Sequence, residues 1–149
     1  GWNARMDGFQ AAILSVRLEL LVKQQAVRTR NANEYAEALR SLDLIERVTP
    51  LGRTDGSDHC WHQYIVRLEA RDRLREELSE RGIDSAVYYP STLPQQACFA
   101  HLGHVEGDFP VAESAARMVV ALPIHHRLQE GDPTRVVTAI HEVVGTLAG

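Results

Sequence analysis

From Met6 onward the apolar residues Met6, Phe9, Ile13, Val16 and Leu20 recur at alternating steps of three and four, and Leu14, Leu18 and Leu21 form a second stripe beside them. The spacing predicts an α-helix that is apolar over much of its circumference. A surface helix shows one apolar stripe and a polar back, whereas a helix of this kind is buried between two layers. Something is therefore expected to cover both of its sides. The pattern continues more weakly through Val27, Tyr35, Leu39 and Leu42, with neither Gly nor Pro from Phe9 to Thr49. It carries the helix to about Ser41, with Asn31 and Asn33 marking where it would bend. At about 1.5 Å per residue the helix is on the order of 50 Å long, more than a compact domain of this size covers alone.

Beyond Pro50, "LGRTDGSDH" reads as an exposed loop, and the alternation in "HQYIVRL" predicts a strand centred on Ile65. Arg71 to Arg81 carries apolar residues only at Leu74 and Leu78, which predicts a surface helix closed by Gly82 as a left-handed C-cap. "DSAVYYP" reads as a short strand ended by Pro90, and Pro110 to about Val120 as a helix with proline in its first turn. "VALPI" is a short strand or extended exit, and Asp132 to Leu147 a last helix with Asp132 as N-cap and Pro133 at the first helical position. Helices and strands interleave without a repeat. The fold class is α/β, an α+β sandwich with helices on a short, mostly antiparallel sheet.

At 149 residues, 44% hydrophobic and 24% charged, the chain has the composition of a globular domain. The net charge of −4 is interspersed, which argues against a nucleic-acid surface. The longest nearly apolar runs fall far short of the roughly 18 residues of a membrane span. Cys60 and Cys98 lie far apart with no CxxC, so a reduced cytosolic setting is expected. His101 and His104, with His125 and His126, lack the cysteine pair or HExxH spacing of a zinc site, and no metal is expected.

Taken in order, "GWNARMDGFQAAIL", "HCWHQYIVR", "RDRLREELSERGI", "VYYP", "GDFPVAE" and "ALPI" resemble the C-terminal part of the DegT/DnrJ/EryC1/StrS family of sugar aminotransferases, over essentially the whole chain. The resemblance implies a fold-type I enzyme using pyridoxal 5′-phosphate (PLP). Such an enzyme moves an amino group from glutamate or glutamine to a keto nucleotide-sugar, at sites completed by two subunits of a dimer. It implies that residues 1–149 are the small C-terminal domain, that 1–42 is the connecting helix, and that a larger N-terminal PLP-binding domain precedes Gly1. Two alternatives stand beside this: a PLP-dependent sugar dehydratase, in which the Schiff-base lysine is replaced, and a stand-alone binding or oligomerisation module.

Lys23 is the only lysine of the chain, mid-helix where the apolar stripe gives way to polar residues, and it does not match the family's Schiff-base lysine. No catalytic residue is therefore assigned, and the chain alone is expected to be inactive. Asn3 matches the asparagine that reaches the PLP phosphate of the neighbouring subunit; a neutral amide before a helix start suits an anionic oxygen, though an ordinary capping asparagine fits too. Arg5 matches the arginine of the same motif and either positions substrate with its planar fork or pairs with Asp7. Tyr88 and Tyr89 match the Tyr-Tyr-Pro segment lining the sugar-nucleotide side of the site, and strand geometry sends their rings to opposite faces, one of them into the core. The family histidine that follows is displaced by Pro94, while Gln96 is kept. His62 faces the site or caps a strand, and is read as a packed histidine. Glu113 is read as a helix-dipole carboxylate in the first turn after Pro110.

Overall fold

The computed structural model describes residues 5–52, 54 and 56–146. Its first element, α1 (Gly8–Ser41), is the predicted long helix. Asp7 caps it, the carboxylate accepting the Gln10 amide at 2.8 Å. At its other end Asp43 adopts a positive φ of 53°, and the Leu44 amide returns to the Leu39 carbonyl at 2.9 Å. That closing turn satisfies carbonyls the helix leaves open. The two halves of α1 differ. Asn31, Ala32, Tyr35, Ala38 and Leu39 are buried, whereas nine large apolar side chains between Met6 and Val22 are exposed, Phe9 by 77%. The cover expected on both sides is not supplied by the described residues.

Three short strands make one antiparallel sheet in the order β1 (Thr49–Pro50), β2 (Tyr64–Arg67), β3 (Val119–Leu122), with Tyr64 opposite Leu122 and Val66 opposite both Pro50 and Val120. Pro50 lacks an amide hydrogen and sits, as such residues do, on the edge strand. Strand β3 is buried along its whole length. Its free side pairs at a single point, Ala86 with Ala121, which exchange both backbone bonds at 3.2 and 2.7 Å. The expected "DSAVYYP" strand is thus one bridge. Tyr88 and Tyr89, which follow it, are exposed.

Helices α2 (Arg71–Glu80), α3 (Pro110–Met118) and α4 (Asp132–Thr146) complete the fold, with two 3₁₀ turns at Leu93–Gln95 and Ala97–Leu102. Gly82 closes α2 at φ 69°, its amide on Ser79 and the Ile83 amide on Leu78, with Leu78 and Ile83 both buried. This is the predicted glycine cap with its hydrophobic contact. The core gathers Tyr35 and Leu39 of α1, Val66 of β2, Leu74 and Leu78 of α2, Val120 of β3, and Val137, Ile140 and Val143 of α4. Both α1 and α2 pack on α4, and the sheet lies against this helical layer through Tyr64 and Val66.

The start of α4 departs from expectation. The Asp132 carboxylate turns back to the Gln129 amide at 2.9 Å, and Gly131, at φ 90°, offers its carbonyl to Arg135. The capping acceptor is instead Glu34 of α1, which takes the Gly131 amide and the Thr134 hydroxyl, both at 2.9 Å. Leu147, expected as the last helical residue, lies outside the described residues.

Candidate functional site

The candidate residues with a described geometry gather where β2 begins and β3 ends. His62, two residues before β2, and Tyr88, two residues after the Ala86 bridge, line one open hollow of about 250 Å³ with Asp84, Ala121, Leu122 and Ile124. Both side chains are exposed, so His62 is not a packed histidine. Tyr88 and Tyr89 were expected on opposite faces with one in the core. Both are exposed, Tyr89 by 70%, and their rings meet edge to face with centroids 5.8 Å apart, because these residues have left the ladder whose pleat would separate them. His62 also borders a larger hollow of about 610 Å³, lined by Asn33, Arg40, His59, Trp61 and Tyr64.

The hollow is held from α1. Arg28 Nη1 donates to the Trp61 carbonyl at 3.0 Å and to the Ile124 carbonyl at 2.6 Å. Asn31 Nδ2 donates to the His125 carbonyl at 3.1 Å, and the Tyr35 hydroxyl to the Pro123 carbonyl at 2.9 Å. One face of α1 thus grips the consecutive carbonyls of Pro123, Ile124 and His125. In the sequence Tyr35 reads as part of a weak apolar stripe and Asn31 as the mark of a bend, and Arg28 is not singled out. The visible signal was their polar character at helical spacing on a side otherwise turned to the core. Below them Tyr35 stacks on Tyr64 at 4.7 Å, and burial pushes both phenols up, Tyr64 to about 12 against the opposing pull of Arg40.

Asn3 lies outside the described residues. Arg5 is exposed and forms no ion pair with Asp7, whose carboxylate caps α1 instead. The twenty residues from Gly8 to Arg28 rise by about 30 Å, so Arg5 does not share the hollow with His62 within this chain. Glu113 does more than favour a dipole: it is 4% exposed, and both its oxygens lie 3.0 Å from the Gly107 amide, with a further bond from Phe109 at 3.3 Å. The histidines stay apart in role. His104 faces Asp108 at 3.5 Å, His101 contacts the Cys98 carbonyl, and His125 accepts the Arg127 amide. Among the described residues no group of three His, Cys, Asp or Glu stands close enough to hold a metal.

For PLP the fit fails within this chain. The cofactor needs an amine held near a phosphate cradle and partly withdrawn from water. Lys23, the only lysine, is exposed on α1. The His62–Tyr88 hollow is smaller than the 300–1,000 Å³ of ordinary ligand pockets and is open, which suits one wall of a site.

The sequence matches the DegT/DnrJ/EryC1/StrS aminotransferase family over residues 1–141. It is 42% identical over 144 residues to a pleiotropic regulatory protein of Geobacillus stearothermophilus, covering 95% of this chain and 38% of that protein. It is 39% identical over 142 residues to the dTDP-3-amino-3,4,6-trideoxy-alpha-D-glucose transaminase of Streptomyces venezuelae, covering 95% and 37%. The fold superposes with a TM-score of 0.88 and 36% identity on the crystal structure of S. venezuelae DesV in complex with a ketimine intermediate, over 96% of this chain and 38% of that one. The chain therefore spans little more than a third of the length of these relatives. With its sequence profile and its helix-on-sheet architecture in agreement, the chain belongs to the DegT/DnrJ/EryC1/StrS aminotransferase family.

Proposed function

We propose that this chain is the small C-terminal domain of a PLP-dependent aminotransferase that passes an amino group from glutamate or glutamine to a keto nucleotide-sugar. The cofactor supplies the amino-group chemistry from a lysine on polypeptide outside these residues. What this chain contributes is a wall. The His62 imidazole and the Tyr88 hydroxyl present a donor and acceptor edge to the nucleotide-sugar, with the Tyr89 ring edge to face against Tyr88. Asn3 and Arg5 precede α1 in the sequence, and we assign Asn3 to the cofactor phosphate and Arg5 to the substrate in a neighbouring subunit. Contributions from Arg5, ahead of α1, and from the His62–Tyr88 hollow, held by the other half of that helix, suit sites completed across a homodimer.

The observation that carries this reading is the division of α1 into a buried half that holds the hollow and a bare apolar half that needs a second layer. The PLP-bearing domain and the second subunit are the layers we assign to it. Both cysteines are free and exposed, which suits a reducing cytosol.

The test has two arms. The native polypeptide carrying this chain, supplied with PLP and glutamate or glutamine, is expected to aminate a keto dTDP-sugar or UDP-sugar. A native product of this chain's size alone, with no partner and no amino transfer, would sink the reading. The 149-residue chain mixed with PLP is expected to give no stoichiometric borohydride-trappable adduct at Lys23.

A further inference from the structure

We infer that Arg28 is a positioning residue that fixes the spacing and orientation of the two walls of the His62–Tyr88 hollow. The inference rests on the substrate reading of that hollow only for its functional meaning; the geometry stands by itself. Both of the relevant bonds leave the same nitrogen, Nη1, which carries two hydrogens: one goes to the Trp61 carbonyl and the other to the Ile124 carbonyl. The two carbonyl oxygens cannot be farther apart than these bonds laid end to end. Trp61 immediately precedes His62, and Ile124 lines the hollow opposite the β2 entry. Arg28 is thus a bolt between the segment carrying His62 and the exit of β3.

The backbone at Trp61 shows why a bolt is needed. Its φ is 49°, a left-handed conformation that a bulky side chain rarely adopts. Such a conformation persists only where its surroundings over-determine it. Trp61 is held at both of its peptide groups: its amide donates to His59 Nδ1 at 2.9 Å, its carbonyl accepts from Arg28, and its ring meets the His59 ring at a 45° tilt with centroids 4.3 Å apart. Releasing the carbonyl frees Trp61 to return to negative φ, which swings the following residue, His62, away from Tyr88.

Asn31 and Tyr35 supply an internal control. They grip His125 and Pro123 from the same helix face and donate no hydrogen bond to the segment carrying His62; Tyr35 meets β2 only by stacking its ring on Tyr64, a contact that Tyr35→Phe keeps. A residue that merely held the fold together would behave as they do. Arginine suits the bolt because its guanidinium stays charged and offers two hydrogens on one nitrogen to two carbonyls.

The experiment is side-chain NMR of His62 and Tyr88 in Arg28→Met, Arg28→Lys, Asn31→Ala and Tyr35→Phe, with melting temperatures measured on each. Arg28→Met is expected to shift the His62 and Tyr88 ring resonances, and Arg28→Lys to restore them in part. Asn31→Ala and Tyr35→Phe are expected to lower the melting temperature while leaving the His62 resonances in place. Unmoved His62 resonances in folded Arg28→Met, or equal shifts in Tyr35→Phe, would overturn the inference. The substrate reading has a separate readout: dTDP is expected to protect His62 from diethyl pyrocarbonate in the assembled native enzyme. Loss of that protection with the NMR pattern intact would sink the substrate reading and leave the positioning role standing.

Discussion

Glu34 and Thr134, a hundred positions apart in sequence, are joined by a 2.9 Å hydrogen bond from the threonine hydroxyl to Oε1. The same oxygen takes the Gly131 amide, so a carboxylate on α1 caps the start of α4 and fastens the two helices that share the core. Glu34→Ala removes the acceptor from open amides and the charge from the positive end of α4. Loss of a capping side chain costs about 1 kcal/mol, and a drop of that size in chemical denaturation is expected, with Glu34→Gln losing less. An unchanged midpoint in Glu34→Ala would show that water replaces the cap.

Glu113 is the more demanding case, because its carboxylate is buried and serves the loop before α3 through the Gly107 and Phe109 amides. Hydrogen bonds to a charged group contribute roughly 1.5–3 kcal/mol each, and leaving buried partners open costs as much again. Glu113→Ala is expected to destabilise by about 3 kcal/mol, and Glu113→Gln by about half of that, since one acceptor oxygen remains. Hydrogen exchange of the Gly107 and Phe109 amides checks the mechanism: both speed up in the alanine variant, ahead of the core strands.

Much of this was legible beforehand, for identifiable reasons. The extent of α1, the Gly82 cap and the Ile65 strand follow from local chemistry, since spacing, an unstrained positive φ and alternation act within a few residues. What escaped depends on partners distant in the chain. Glu34 looks like any surface glutamate until Gly131 and Thr134 are folded against it, so Asp132 appeared to be the cap. The Tyr88 and Tyr89 rings were assigned to opposite faces by a pleat that ends at Ala86, two residues too early for the rule to apply. Of the candidate site, His62 and Tyr88 do converge, while the length of α1 sets Arg5 far from them.

The two stacked phenols give a signed pH dependence. Burial raises both, Tyr64 to about 12 and Tyr35 further, above the ordinary phenol value near 10. The folded chain thus holds these protons more tightly than the unfolded chain. The stability they contribute is complete below about pH 10 and is lost as pH rises through 12. Alkaline unfolding is expected in that window, and Tyr64→Phe and Tyr35→Phe should each move it upward. At neutral pH the two differ in sign. The Tyr64 hydroxyl is buried with no hydrogen-bond partner among the described residues, so its removal is expected to stabilise by about 1 kcal/mol. Tyr35→Phe loses the bond to the Pro123 carbonyl and is expected to cost a similar amount.

The bare half of α1 makes the strongest demand on the proposed function. Burying a Leu- or Phe-sized side chain is worth about 1.5–3 kcal/mol. Covering nine of them between Met6 and Val22 therefore represents on the order of 10 kcal/mol of unrealised gain before ordering costs. A face of that size does not stay in water if anything apolar is available. The 149-residue chain is accordingly expected to self-associate and to bind an apolar dye, in a concentration-dependent manner visible by sedimentation. Phe9→Glu with Val16→Glu should weaken both while leaving the melting temperature unchanged, because neither side chain belongs to the core cluster. Substituting Leu39, buried on the same helix, should do the reverse: destabilise the fold and leave dye binding to the exposed half. A monomer at all concentrations that ignores the dye would mean that this face needs no cover, and the case for a second layer on α1 would fall with it.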